Sequence, residues 1–319
     1  MEYASAVKRI AVGLRAIGVA QNDGIGLLSA NEIYYYVLGD GAVAAGGTFC
    51  PIPTDGDEHT LGRFIQAAQV SWLFVGVESL EKALLAARLV GIDESRVIVF
   101  DPPGLKPYGG ARPRFSSLLN ADESLFQNPY QGKDPKKLIC VRLFGSGTSG
   151  MVKAAEISHA AQLARLDTPL FTRSPRDTTW LHYMPLALAP GHNMCVRACA
   201  GRLPVSVTSV DDAPTLLEKI QAGRCSQIQL PPALMEAMTD AINSGLRSRE
   251  TLQSMETILI GGTFARKDSV AAFTAILPSH TRLRTGYGCT ESGIVTMTPI
   301  DAPWVQGYTG FLTRGVELK

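Results

Sequence analysis

The segment Phe144 to Ala160, FGSGTSGMVKAAEISHA, concentrates groups that bind phosphate. Gly145, Gly147 and Gly150 alternate with the hydroxyls of Ser146, Thr148 and Ser149, and the ammonium of Lys153 follows. Glycines let backbone N–H groups converge on an anion, hydroxyls donate to it, and a cation balances its charge. By letter, GSGTSG matches the dinucleotide pattern G-x-G-x-x-G, and with Val152 the kinase pattern G-x-G-x-x-G-x-V. Context excludes both. A dinucleotide site needs an acidic residue closing a second strand ~20 residues on, and Asp167 follows a helix-like stretch instead. The V-A-I-K, H-R-D and D-F-G motifs of a kinase are absent. A Walker A lysine would directly follow the last glycine, but Met151 and Val152 intervene before Lys153. Two readings stay open for the loop alone: a polyphosphate cradle, or a Gly/Ser turn without a ligand.

The elements that position this loop alternate. Val7, Ile10, Ala11, Leu14 and Ile17 follow helical spacing and Gly18 can end that helix in the left-handed region. GIGLL (24–28), TFCPI (48–52), SWLFVG and RVIVFD read as strands, separated by helices from Asn31 to Leu38, near Leu61 to Ala68 and from Glu78 to Leu89. Residues Asp101 to about Pro135 are rich in Pro, Gly and Asn and read as a long connection. LICVRLF then forms a strand, the Gly-rich loop follows, and Ser158 to Leu166 forms a helix. TTWLHYM, SQIQL, ETILI and TRLRTGYG are later strands, with helices near 214–222, 232–242 and 267–276. Strand and helix alternating in this way predict an α/β fold with a largely parallel sheet covered on both faces.

Composition narrows the partners. A formal net charge of +1 and the absence of any basic run longer than Lys136–Lys137 give no electrostatic footprint for nucleic acid. No apolar run approaches the ~20 residues of a membrane span, and Arg9 and Arg15 interrupt the N-terminal apolar pattern that a signal peptide requires. The six cysteines are scattered without C-x-x-C pairs, so reduced thiols and a cytoplasmic setting are expected, with a small molecule as partner.

Further blocks give the loop its context. ILIGGTF (258–264), GYGCTESG (286–293) and GYTGFLTRGVELK follow it in order, and AVKRIAVGLRAIGV and GDGAVAAGGTFCPIPT precede it. This ordered set resembles the adenylate-forming, AMP-binding superfamily, in particular acyl-CoA synthetases and 4-coumarate-CoA ligases. Their loop runs approximately S/T-S-G-T-T-G-x-P-K-G and ends in Thr-His; here it ends in Ser158 and His159. The resemblance implies the large N-terminal domain of such an enzyme: layered sheets in two intimately packed subdomains, expected over 1–135 and 136–319, with the small C-terminal domain expected to be absent.

It also implies ATP, magnesium and CoA as co-substrates or cofactors of a ligase acting on a carboxylic acid. Ser146, Gly147, Thr148, Ser149, Gly150 and Lys153 would cradle phosphates, and Gly262, Thr263, Tyr287 and Gly288 would surround adenine. Thr290 would touch the α-phosphate and Glu291 would hold the metal, so that Lys153, Thr148, Thr290 and Glu291 form the catalytic set. In YMPLALAPGHNM, Leu188, Ala189, Gly191 and His192, with Gly262, Gly286 and Gly288, would line a roomy apolar acid pocket; taken by itself, His192 reads more readily as a surface-loop residue. The F-D-x-S block of amino-acid-activating domains has no counterpart between Trp180 and Asn193, which favours an amine-free acid. Gly145, Val152 and Ala154 depart from the family loop, where a hydroxyl, a proline and a glycine stand. The alternatives are an inactive nucleotide- or acyl-binding fragment and an amino-acid adenylation domain serving a carrier protein. A C-terminal extension would open peroxisomal delivery.

Overall fold

The computed structural model describes residues 2–105, 107–145, 151–166, 179–210 and 212–317. It divides the chain into two compact units, one of Met1–Leu163 with Pro185–His192, the other of Ala164–Met184 with Asn193–Lys319.

The first unit is built on a six-stranded sheet: β1 (Gly24–Leu28), β2 (Thr48–Pro51), β3 (Val70–Gly76), β4 (Val97–Phe100), β5 (Ile139–Phe144) and β6 (Ala154–Ser158), in the order β4-β3-β1-β2-β5-β6. All neighbours are parallel except β6, which runs antiparallel to β5. Helices α1 (Tyr3–Ala16), α2 (Tyr34–Ala44), α3 (Glu58–Ala67), α4 (Leu80–Leu89) and α5 (Phe115–Leu118) connect and cover it. Successive strand residues point to opposite faces, and β3 uses both. Leu73 and Val75 pack with Leu61 and Ile65 of α3 and Ala83, Ala86 and Ala87 of α4, while Phe74 meets Phe115 edge-on. A sheet buried on both faces gives near-continuous apolar strands, as the burial of every residue of β1, β2 and β4 confirms.

The second unit has a seven-stranded sheet of β7 (Thr179–His182), β8 (Val205–Val207), β9 (Cys225–Leu230), β10 (Thr257–Ile260), β11 (Arg282–Cys289), β12 (Gly293–Met297) and β13 (Phe311–Leu312), in the order β13-β12-β11-β10-β9-β7-β8. β7 through β11 pair in parallel; β12 and β13 turn back antiparallel at one edge. Ile258 and Ile260 enter a core with Ile228, Leu230 and residues of α8 (Ala213–Ala222), α9 (Pro232–Asn243) and α10 (Lys267–Ile276), whereas Leu259 packs on the opposite face with Trp180, Met194 and Met297. Helices α6 (His159–Leu166) and α7 (Ala189–Gly201) each contribute residues to both units.

The α/β expectation holds, with local differences. The helix expected from Asn31 starts at Tyr34, because the Asn31 carboxamide instead accepts the Leu186 N–H at 2.9 Å. The connection after Asp101 contains α5, seated under Phe74 and Phe100. β6 and α7 occupy stretches that sequence patterning leaves as loop, and β5 and β6, both beyond residue 135, belong to the first unit's sheet. Among the described residues no helix is long and apolar enough to cross a membrane.

One buried histidine sets an acid limit on the second unit. Desolvation pushes His182, at the end of β7, down to about 4. Because its folded value lies below the unfolded value of ~6.5, the stability tied to its neutral form is whole above pH ~6.5 and is lost as pH falls towards 4. Unfolding titrations are expected to show a loss of about 3 kcal/mol by pH 4 that a His182→Gln variant lacks.

Candidate functional site

The Gly-rich segment is the connection of a β-hairpin, and the strand-loop-helix arrangement expected from the sequence is corrected accordingly. β5 and β6 pair from Ile139↔Ser158 to Phe144↔Ala154, so Lys153 stands directly before the first paired residue of the returning strand. Ser146, Gly147, Thr148, Ser149 and Gly150 lie outside the described residues. Lys153 is exposed and has no hydrogen-bond or ion-pair partner among the described residues, leaving its ammonium available to an anion. Val152 and Ala154 on either side of it pack on the apolar cluster of α3, α4 and the sheet. Two of the three departures from the family loop therefore anchor the end of the hairpin: alternate side chains dock on the core while the exposed Lys153 stands between them.

A cross-strand pair reinforces this register. Arg142, directly opposite Glu156, donates to its carboxylate from Nε and Nη2 at 3.0 Å, and from Nη1 to the Ala68 carbonyl at 3.2 Å. The guanidinium is buried and the carboxylate half exposed, so the charged hydrogen bonds stabilise the hairpin modestly rather than as a dry ion pair. Arg142→Met is expected to destabilise the fold by about 2 kcal/mol, measured by denaturant unfolding.

At the far end of β6, Ser158 Oγ accepts the Ala161 N–H at 3.2 Å and caps α6. His159 opens that helix with its ring edge-on to Tyr130 at 4.4 Å, and burial lowers its pKa.

The expected acid-pocket residues divide between the units. Leu188 is half-buried and forms a parallel bridge with Phe144 at the end of β5, and Ala189 and Gly191 are buried in the first turn of α7. Pro190 suits that turn, where its missing N–H has no intrahelical partner to lose. His192 is no surface-loop residue: it is buried in α7 with its ring 6.2 Å from Phe49. Gly262, Gly286 and Gly288 belong to the second unit.

In that unit, parallel register brings two motif blocks to one sheet edge. β10 and β11 align Thr257↔Arg282 through Ile260↔Thr285, so Gly261-Gly262-Thr263 leaves the carboxyl end of β10 where Gly286-Tyr287-Gly288 continues β11 beyond the last pair. Ligands of open α/β sheets bind outside these ends. Gly262 turns the chain at φ +95, and Thr263 and Tyr287 are exposed. Gly288 is required by the sheet itself: it faces Ile294 of β12, and a Cβ there would fall 2.2 Å from the Gly293 carbonyl oxygen.

Thr290, Glu291 and Ser292 form the tight connection between β11 and β12. Thr290 is half-buried; Glu291 is exposed, and its carboxylate has no partner among the described residues. An uncommitted carboxylate oxygen on a rigid turn suits a hard cation. Among the described residues no group of three or more His, Cys, Asp or Glu forms a self-sufficient metal cage. Arg165, which the sequence alone does not single out, donates to the carbonyls of both Thr290 and Glu291. No local pattern marks it, because these two contacts lie more than a hundred residues away.

The phosphate-type loop, the GGT turn and the YGCTE hairpin occur in the order that one enzyme family uses, and the AMP-binding enzyme family profile matches residues 1–319. The chain belongs to the AMP-binding enzyme family. Among curated relatives of this AMP-binding chain, a phenylacetyl-CoA ligase of Aspergillus niger is 27% identical over 98% of the chain and 59% of its own length. A 4-coumarate-CoA ligase of Narcissus pseudonarcissus is 24% identical over 100% of the chain and 58% of its own length. The AMP-binding chain thus spans well under two thirds of these relatives. A long-chain-fatty-acid-CoA ligase from Archaeoglobus fulgidus superposes with a TM-score of 0.84 at 17% identity, covering 98% of the chain and 61% of that structure. ATP-bound MatB from Rhodopseudomonas palustris superposes at 0.78 with 22% identity, covering 98% and 59%. These likenesses establish the adenylate-forming fold.

Proposed function

We propose that this AMP-binding chain activates an amine-free carboxylic acid with ATP and passes the acyl group to CoA. The support is that the GGT turn and the YGCTE block continue from adjacent, parallel-paired segments of β10 and β11, together with a Lys153 that has no partner among the described residues just before β6, in a chain of this family. A carboxylate oxygen attacks the α-phosphorus of ATP, the bond to the bridging oxygen breaks, and pyrophosphate leaves with that bond's electron pair. The CoA sulfur then attacks the acyl carbonyl, and AMP leaves with the oxygen that came from the acid.

Little covalent work falls to the protein in the first step; positioning and charge neutralisation dominate. Lys153 takes charge that accumulates on the β- and γ-phosphates, with backbone and hydroxyl groups of 146–150 completing their cradle. Thr290 donates to an α-phosphate oxygen, and Gly262, Thr263, Tyr287 and Gly288 receive adenine. Magnesium fits the Glu291 carboxylate, which has no partner among the described residues, and, when bound, supplies further neutralisation of the triphosphate. The acid side falls to Leu188 and its neighbours, and the CoA-ligase relatives favour an aryl or alkyl acid. The described cysteines are all free thiols, as in a reducing compartment such as the cytoplasm.

The test is carboxylate-dependent ATP–pyrophosphate exchange over a panel of fatty, cinnamic, benzoic and amino acids. Exchange with one of the first three classes is expected. A strong preference for amino acids, or no exchange with any class, contradicts the reading.

A further inference from the structure

The turn that carries Thr290 and Glu291 is held by a residue outside every motif of the family loop or the YGCTE block. Arg165, in the last turn of α6, donates from a single nitrogen, Nη2, to the Thr290 carbonyl at 2.9 Å and the Glu291 carbonyl at 2.7 Å. Both acceptors belong to a tight antiparallel connection that lies between the paired residues Cys289 and Gly293, where Ser292 Oγ bonds to Cys289 Sγ and the Gly293 carbonyl but not to the carbonyls of Thr290 or Glu291. The stem of the same side chain lies over the backbone of Gly293, where a Cβ would come within 3.1 Å of Nε and 3.3 Å of Cγ and Cδ. Arg165 is in turn fixed from behind, since the guanidinium of the half-buried Arg197 on α7 donates to the Arg165 carbonyl. All of these groups lie in the second unit.

A charged donor shared by two successive carbonyls locks the direction of both peptide planes, and with them the Cα–Cβ vectors of Thr290 and Glu291. Those vectors decide whether the Thr290 hydroxyl and the Glu291 carboxylate point where a triphosphate is to be received. We propose that Arg165 is the positioning residue of the adenylation site: it touches no substrate and acts by fixing the backbone of the Thr290–Glu291 turn. This inference rests on the adenylation reading for its kinetic consequence but not for its structural one.

Two variants separate position from fold. Arg165→Met keeps the apolar stem over Gly293 and removes the donors; Arg165→Lys keeps the charge and one donor direction. On the full chain, Arg165→Met is expected to lower kcat of ATP–pyrophosphate exchange about 10²-fold, the loss that follows a small misplacement of catalytic groups. KM for the carboxylic acid stays within about threefold, as for a step that leaves ground-state binding of the acid alone, and Arg165→Lys recovers part of kcat. Hydrogen–deuterium exchange of the segment 286–297 becomes faster in Arg165→Met while peptides from β9 and β10 keep their protection. Wild-type kcat in both variants, or lost kcat with unchanged exchange at 286–297, overturns the positioning role. If the wild-type chain shows no ATP–pyrophosphate exchange the adenylation reading fails, and unchanged deuterium uptake at 286–297 then still decides against the clamp.

Discussion

Lys153→Ala is expected to reduce carboxylate-dependent ATP–pyrophosphate exchange by roughly 10²–10³-fold, the range seen when one preorganised charge-stabilising group is deleted. The size follows from where the ammonium sits. It stands one residue before the paired strand β6, with Val152 and Ala154 anchored on the core to either side, and no described residue competes for its charge. An exposed side chain with no partner among the described residues contributes little to folding, so the thermal midpoint should stay close to wild type, as for other exposed substitutions. Lys153→Arg should recover only part of the rate, because a planar guanidinium presents its donors in a different geometry from a compact ammonium. Loss of rate with a matching loss of stability would instead make Lys153 a structural residue.

Gly288→Ala carries the second large effect, and it acts on structure first. Its Cβ would fall 2.2 Å from the Gly293 carbonyl oxygen, 3.0 Å from the Gly293 carbonyl carbon and 3.0 Å from the Ile294 α-carbon, all backbone atoms that cannot rotate away. β11 and β12 must separate at the pair Gly288↔Ile294, which releases the connection bearing Thr290 and Glu291. A destabilisation of about 3 kcal/mol is expected, at the upper end of ordinary overpacking, accompanied by loss of exchange activity. Gly109→Ala is the control: a Cβ there meets nothing within 4 Å, and stability should match wild type or exceed it by up to about 1 kcal/mol.

Much of the fold is legible in the sequence because its signals are strong and local. Buried parallel strands such as GIGLL and VIVF declare themselves as apolar runs, and amphipathic spacing marks α1, α8, α9 and α10. β6 is not legible: AAEIS is short, weakly apolar and followed at once by a helix, and its strand state is imposed by pairing with β5 and by the Arg142–Glu156 contact. α7 is hidden in the same way, since PLALAPGH combines prolines and a glycine that read as loop, yet the chain turns helical at Ala189 once Leu188 has bridged to Phe144.

The candidate site divides along the same line. Lys153, Gly262, Thr263, Tyr287, Thr290 and Glu291 are candidates that motif order and the family resemblance supply, because the blocks carrying them are short and local in sequence. The burial of His192 against Phe49 and the Arg165 contacts to Thr290 and Glu291 are long-range and leave no local trace. Glycine spacing also carries two messages that sequence cannot separate: Gly288 reads as a ligand-contact glycine and is demanded by β12.

The central claim is that a carboxylate oxygen bonds to the α-phosphorus of ATP on this chain. The direct measurement uses an acid labelled with ¹⁸O in its carboxylate, ATP and CoA, and reads the mass of the AMP released. The mechanism predicts that AMP leaves carrying one ¹⁸O from the acid, with pyrophosphate unlabelled. Unlabelled AMP, or ADP and phosphate in place of AMP and pyrophosphate, would contradict it.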